Sequence, residues 1–109
     1  MGFHGNSRKN QKEHHLYVIH DKEENDVFKY GISDKSIGKD GYSQRMREQI
    51  DYLNRAVGWL RYIAEILVRG IVGKTKARKL EDEYIDAYRE KHGHNPRGNV
   101  KKTKKQRKP

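Results

Sequence analysis

Apolar residues gather first in one short stretch of this chain, residues 14–33, HHLYVIHDKEENDVFKYGIS, and that stretch limits what the rest can build. The runs LYVI and VFKYGI flank DKEEND, a loop too polar to bury, whose Asp and Asn favour a turn. Residues 15–20 and 27–33 therefore read as two strands of a hairpin. Alternation sets Leu16 and Val18 on one face of the first strand and His15, Tyr17 and Ile19 on the other. In the second strand Phe28, Tyr30 and Ile32 share a face, opposite Lys29, Gly31 and Ser33. If Leu16, Val18, Phe28, Tyr30 and Ile32 are the buried face, Tyr30 is core. His15, Tyr17, Lys29 and Ser33 then stand together on the other side.

Further along, Ser43 is a good N-cap type for a helix running to about residue 56. Met46, Ile50, Leu53 and Val57 recur at helical spacing and should pack on the sheet, with Arg45, Gln49 and Tyr52 on a neighbouring stripe. The run LRYIAEILVRGIV, residues 60–72, is bounded by glycines and rich in β-branched residues, so it reads as a third strand, although so apolar a run also suits a helix. A second helix, residues 75–91, places Ala77, Leu80, Tyr84 and Ala87 on one stripe and Glu81, Ile85 and Tyr88 on the next, and HGHNPRGN ends it. The expectation is an α+β fold of order β-β-α-β-α, with a small, mostly antiparallel three-stranded sheet flanked by helices.

Only 32% of the 109 residues are hydrophobic and 37% are charged, enough for one compact core with polar ends outside it. The expected division is an arm over residues 1–13, a folded body over 14–99 and a basic tail over 100–109. The formal net charge is +10, and the tail supplies six cations with no anion, while residues 14–99 carry only +2. Such a tail, with Lys101, Lys102, Lys104, Lys105 and Arg107, can grip a polyanion by charge alone, and nucleic acid is the commonest such partner. With no cysteine there is no disulfide framework and no cysteine-based zinc site. No apolar run approaches the ~20 residues of a membrane span, and MGFHGNSRKNQKEHH lacks the apolar core of a signal peptide, so no membrane association is expected.

The segments LYVI, FKYGIS, SQRMREQ, LEDEYI and PRGN follow one another in an informative order. Together they resemble the GIY-YIG nuclease superfamily over residues 15–99. Tyr17 matches the tyrosine of the first motif half, Gly31 the glycine of the second, and Ser33 the small hydroxyl residue that often follows it. Arg45 matches the first-helix arginine, Glu81 the acidic residue that holds a divalent metal, and Asn99 an asparagine found after a proline. The chain departs from the pattern in its His-Leu-Tyr opening and in Lys29, which stands where the second tyrosine usually is.

The chemistry that the resemblance implies is metal-dependent hydrolysis of phosphodiester bonds. Glu81 would anchor Mg²⁺ or Mn²⁺, a hard cation that keeps several waters. Arg45 offers a planar fork for phosphate oxygens. Tyr17, with an ordinary pKa of about 10, needs nearby positive charge to act as a base, and Lys29 on the adjacent strand could supply it. Tyr17, His15 and Lys29 are the three candidates for that base, while Gly31, Ser33, Asn99 and the basic tail are expected to contact nucleic acid. No reader of base edges is recognisable, so low sequence specificity is expected.

The leading GFHGNS, compact body and basic end also look like the C-terminal toxin module of a bacterial polymorphic toxin. That resemblance implies delivery into a recipient cell as part of a larger secreted protein, action in its cytoplasm, and an acidic immunity protein as partner. DNA is the expected substrate, with RNA as an alternative, and a monomer is expected. Two competing readings are a non-catalytic nucleic-acid-binding module on the same fold and a structural basic protein. Convergence of Tyr17, Arg45 and Glu81 in one cleft would speak against the second of these.

Overall fold

The computed structural model describes residues 12–99. Strands β1 (Glu13–Asp21) and β2 (Asp26–Ser33) form the hairpin, followed by helix α1 (Gln44–Val57), strand β3 (Tyr62–Val72) and helix α2 (Lys74–His92). The sheet has the order β2-β1-β3 and is antiparallel throughout, an α+β fold with the element order read from the sequence. β1 begins at Glu13, one residue inside the expected arm, while the rest of that arm up to residue 11 and the tail from 100 onward lie outside the described residues.

Because β1 is the central strand, both of its faces are core. Leu16 packs with Ile71 and with Ala77 of α2, whereas Tyr17 and Ile19 pack with Met46 and Ile50 of α1. This two-sided burial is the physical reason LYVI reads as a continuous apolar run. It also corrects the expectation of one buried and one open face, since the Tyr17 face is roofed by α1.

A β-bulge makes a second correction. Ile19 pairs with Lys29 and His20 with Val27, leaving Phe28 without a partner. A bulge sets two residues against one and interrupts alternation. Phe28 accordingly joins the Tyr17 and Ile19 cluster, its ring edge-on to Tyr62 at 5.1 Å, instead of lying with Leu16 and Val18. Tyr30, read as core, is half-buried against the Tyr84 ring at 5.4 Å.

Helix α1 starts where Ser43 Oγ accepts the Met46 backbone N–H, and it ends at Gly58 in the left-handed conformation. Met46 and Ile50 are buried and Leu53 half-buried, but Val57 in the last turn is exposed. Helix α2 buries Ala77, Glu81, Ile85 and Tyr88, and Ala87 is exposed. The two stripes read from the sequence are thus one, since a line of steps of four, four and three residues follows a 3.6-residue turn.

His15 is part of this scaffold. It is buried, and its Nε2 lies 3.0 Å from the Ser43 hydroxyl that caps α1. Burial first, then the charge of Arg69, holds its pKa below the usual 6.5, so the folded protein keeps it neutral. Below about pH 6.5 the unfolded chain takes up a proton that the folded one resists, and stability falls as the pH falls. We expect His15→Gln to flatten the dependence of melting temperature on pH between about 6.5 and 5; an unchanged slope would assign it to other groups.

The segment after α2 is strapped across the open edge of β2. Asn99 Oδ1 accepts from the Tyr30 backbone N–H at 2.9 Å and its Nδ2 donates to the Tyr30 carbonyl at 3.0 Å, covering one pair of edge groups. Arg97 donates to Asp21 and lies over the Phe28 ring at 5.3 Å. Gly98 permits this approach, because a Cβ there would stand 2.7 Å from Lys29 Cβ and from Phe28 Cε2. Asp21 is fully buried and also takes a two-pronged contact from Arg61 at 2.7 and 2.8 Å.

Candidate functional site

β1 and β2 set the position of one tyrosine hydroxyl. Tyr17 faces Gly31 across the strand pair, and a Cβ on Gly31 would stand 2.4 Å from both Cζ and Oη of Tyr17. The ring therefore lies across a position on β2 that only glycine leaves open. It is 1% exposed, with its hydroxyl donating to Gln49 Oε1 of α1 at 2.9 Å. Gly31→Ala should force the ring off this seat, at a cost of about 1–3 kcal/mol typical of overpacking. The expected result is a lowered melting temperature together with impaired function of the site; an unchanged melting curve would show that the ring has room to move.

Tyr17 lines a cleft of about 530 Å³ together with Lys29, Gly31, Ser33, Arg45, Glu81 and Asn99. The fold thus brings seven residues singled out from the sequence to one cavity, from both strands of the hairpin, both helices and the strap. His15 is not among them: it turns to Ser43, and His14 lines the cleft instead. His15 does stand beside Tyr17, their ring centroids 6.1 Å apart on the face under α1, but its Nε2 is taken up by the Ser43 hydroxyl. Lys101, Lys102, Lys104, Lys105 and Arg107 lie outside the described residues.

Within the cleft, roles divide by what each side chain already holds. Both polar atoms of the Asn99 side chain are committed to the Tyr30 backbone, so Asn99 builds the wall. Ser33 Oγ accepts from the Lys35 N–H at 3.0 Å, which closes the end of β2. Asp34 is paired with Lys12 at 3.2 Å, and this contact holds its carboxyl below the usual range. Glu81 is 9% exposed and close enough to Tyr17 for its charge to act on the phenol.

Burial pushes the Tyr17 pKa above 10, and the largest opposing cause is a hydrogen bond from Arg45. The sequence reading gave that work to Lys29. Arg45 projects from the first turn of α1, next to the Ser43 cap, so the helix start places a guanidinium at the phenol. The balance keeps Tyr17 protonated at neutral pH. A neutral phenol that donates to Gln49 can still accept a hydrogen bond from a water in the cleft, but only the phenolate can take a proton from it.

Glu81 beside Tyr17 is a donor of the kind Mg²⁺ takes, through one or two carboxylates with the remaining positions filled by water and substrate oxygens. No group of three His, Cys, Asp or Glu side chains able to cage a metal occurs among the described residues. A lone carboxylate is a donor set that only a cation retaining most of its waters could use.

Two cations of the cleft, Lys74 and Arg78, were not singled out from the sequence, nor was the role of Gln49 as partner of the Tyr17 hydroxyl. Lys74, Arg78 and Glu81 follow at steps of four and three along α2, one helical face, so the signal was present in the same periodicity that located Glu81. Gln49 likewise shares a face with Arg45, four residues before it.

No helix among the described residues is long and apolar enough to cross a membrane. No curated protein and no solved structure matches the chain. A family model described as URI fold toxin 2 does match, over residues 7–93, a span holding the whole sheet, both helices and every cleft residue except Gly98 and Asn99. With most of its length so matched, the chain belongs to the URI fold toxin 2 family, a family of toxin modules.

Proposed function

We propose that this toxin module is a metal-dependent endonuclease of GIY-YIG type that hydrolyses the phosphodiester bonds of DNA with low sequence specificity. The observation that carries the reading is that Tyr17, Arg45 and Glu81 line one cleft with Lys29, Lys74 and Arg78 around them. Phosphodiester hydrolysis needs a positioned water, neutralisation of the phosphate and relief of charge on the leaving oxygen. Tyr17 Oη, fixed by Gln49 and by the glycine beneath it, orients the attacking water. Arg45 grips phosphate oxygens with its fork while its charge acts on the phenol, so substrate and water are held together. Lys29 adds positive charge from β2. Glu81 would hold Mg²⁺ or Mn²⁺, which supplies Lewis-acid polarisation of the phosphate and a lower pKa for bound water.

This chemistry fits a toxin delivered into a recipient cell and acting on nucleic acid in its cytoplasm. The net charge of +10 favours an acidic protein as the inhibitor in the producing cell. The test is supercoiled plasmid incubated with the protein in Mg²⁺ or in EDTA, beside Arg45→Ala and a parallel RNA substrate. Metal-dependent conversion to a smear that Arg45→Ala slows supports the reading. Plasmid retarded but intact in every lane means a binding module, digestion of RNA alone means a ribonuclease, and discrete fragments from long DNA would overturn the low specificity.

A further inference from the structure

Helix α2 carries more than the carboxylate. Lys74 and Arg78 line the cleft on the face that bears Glu81, with Arg78 one turn and Lys74 two turns towards the helix start. Both are exposed, and neither is in an ion pair among the described residues. Elsewhere Arg47, Arg61, Arg89 and Arg97 are each held by an aspartate. Placing exposed cations along a cleft without a carboxylate partner leaves their charge for an outside anion. The other exposed lysines of α2, Lys76, Lys79 and Lys91, are not in the cleft wall.

Resting on the nuclease reading, we propose that Lys74 and Arg78 form a rail for the nucleic-acid backbone, holding the phosphates that flank the cut on one side. At 1.5 Å per residue, the seven residues from Lys74 to Glu81 span about 10 Å, some three nucleotide steps at ~3.4 Å of axial rise. Arg78 thus takes the phosphate next to the scissile one and Lys74 the third from it. These are positioning residues: they act on where the strand lies, and Tyr17, Arg45 and Glu81 act on the bond. The site therefore reads a run of phosphates and no base, which gives low sequence specificity a structural basis.

The experiment measures binding of a fluorescent DNA duplex of about twenty base pairs by full-length protein in EDTA across a salt series, for wild type, Lys74→Gln/Arg78→Gln and Lys76→Gln/Lys79→Gln. Loss of two phosphate contacts should make the slope of log affinity against log salt shallower by about 1.8 in the first double variant only. In Mg²⁺ the same variant should raise KM more than it lowers kcat, because the contact it removes is made equally in ground and transition states. If both double variants lose the same slope, or neither does, the rail is overturned while the nuclease reading stands. If wild type neither binds in EDTA nor cleaves DNA in Mg²⁺, it is the nuclease reading that falls.

Discussion

Glu81→Gln is expected to abolish Mg²⁺-dependent cleavage, by about 10³-fold or more, while leaving the fold intact. The scale is that of removing one preorganised electrostatic contact from a transition state, about 10²–10³-fold, with loss of the metal anchor added to it. Glutamine keeps the volume of a side chain that is 9% exposed, and α2 is anchored on the sheet by Ala77, Ile85 and Tyr88 independently of it. The substitution also removes the negative charge that pushes the Tyr17 pKa upward, so the phenol should become more acidic in the variant. The measurement pairs plasmid relaxation with thermal melting. Full activity in Glu81→Gln would remove the metal role from this residue, and an unfolded variant would make Glu81 a packing residue instead.

Asp21→Asn is expected to cost about 3 kcal/mol of stability, the lower end of the range for breaking a buried ion pair. Asp21 is 0% exposed and is held by Arg61 through two hydrogen bonds and by Arg97 through a third, while the backbone N–H groups of Glu23 and Glu24 complete its shell. An amide can still accept some of these bonds, but its NH₂ faces two guanidinium groups. The lower end applies because Arg97, at 43% exposed, regains water once released. A loss of this size lowers the melting temperature on the order of 15 °C in a domain this small.

The contact with Arg61, followed by that with Arg97, holds the Asp21 carboxyl far below the usual range. A depressed carboxyl contributes stability that is present in full above its unfolded pKa of about 3.9 and is lost as the pH falls towards the folded value. Wild type should therefore lose stability steeply below about pH 4, and Asp21→Asn should lose that part of the slope. Because Arg97 ties the strap to the hairpin, the variant should also loosen the wall that Gly98 and Asn99 form in the cleft. An unchanged melting temperature would mean that the strap is held by Asn99 alone.

The residues differ in how far their places were legible in advance. All five elements could be read from apolar periodicity, the Ser43 cap and the glycines and polar loops between segments, because these signals are local and each segment carries its own. Tyr17, Gly31, Arg45 and Glu81 could be singled out from their order along the chain, and Lys74 and Arg78 lay on the same helical stripe as Glu81. What the sequence by itself determined, then, is the set of elements and the chemical inventory of the cleft.

Tertiary structure alone decided where that inventory points. The bulge at Phe28 turns its ring into the Tyr17 cluster, and the packing of α1 puts the Ser43 cap on His15. Strand pairing and helix packing set them through residues on other elements, so a period of two along one strand cannot register them. The same holds for the duties of polar side chains. Asn99 is committed to the Tyr30 backbone, His15 to the Ser43 cap, and Arg45 serves the phenol that Lys29 was expected to serve. Which partner a hydrogen-bonding group finds depends on what the fold brings within about 3 Å of it, and that distance is fixed only when the sheet, both helices and the strap have closed around it.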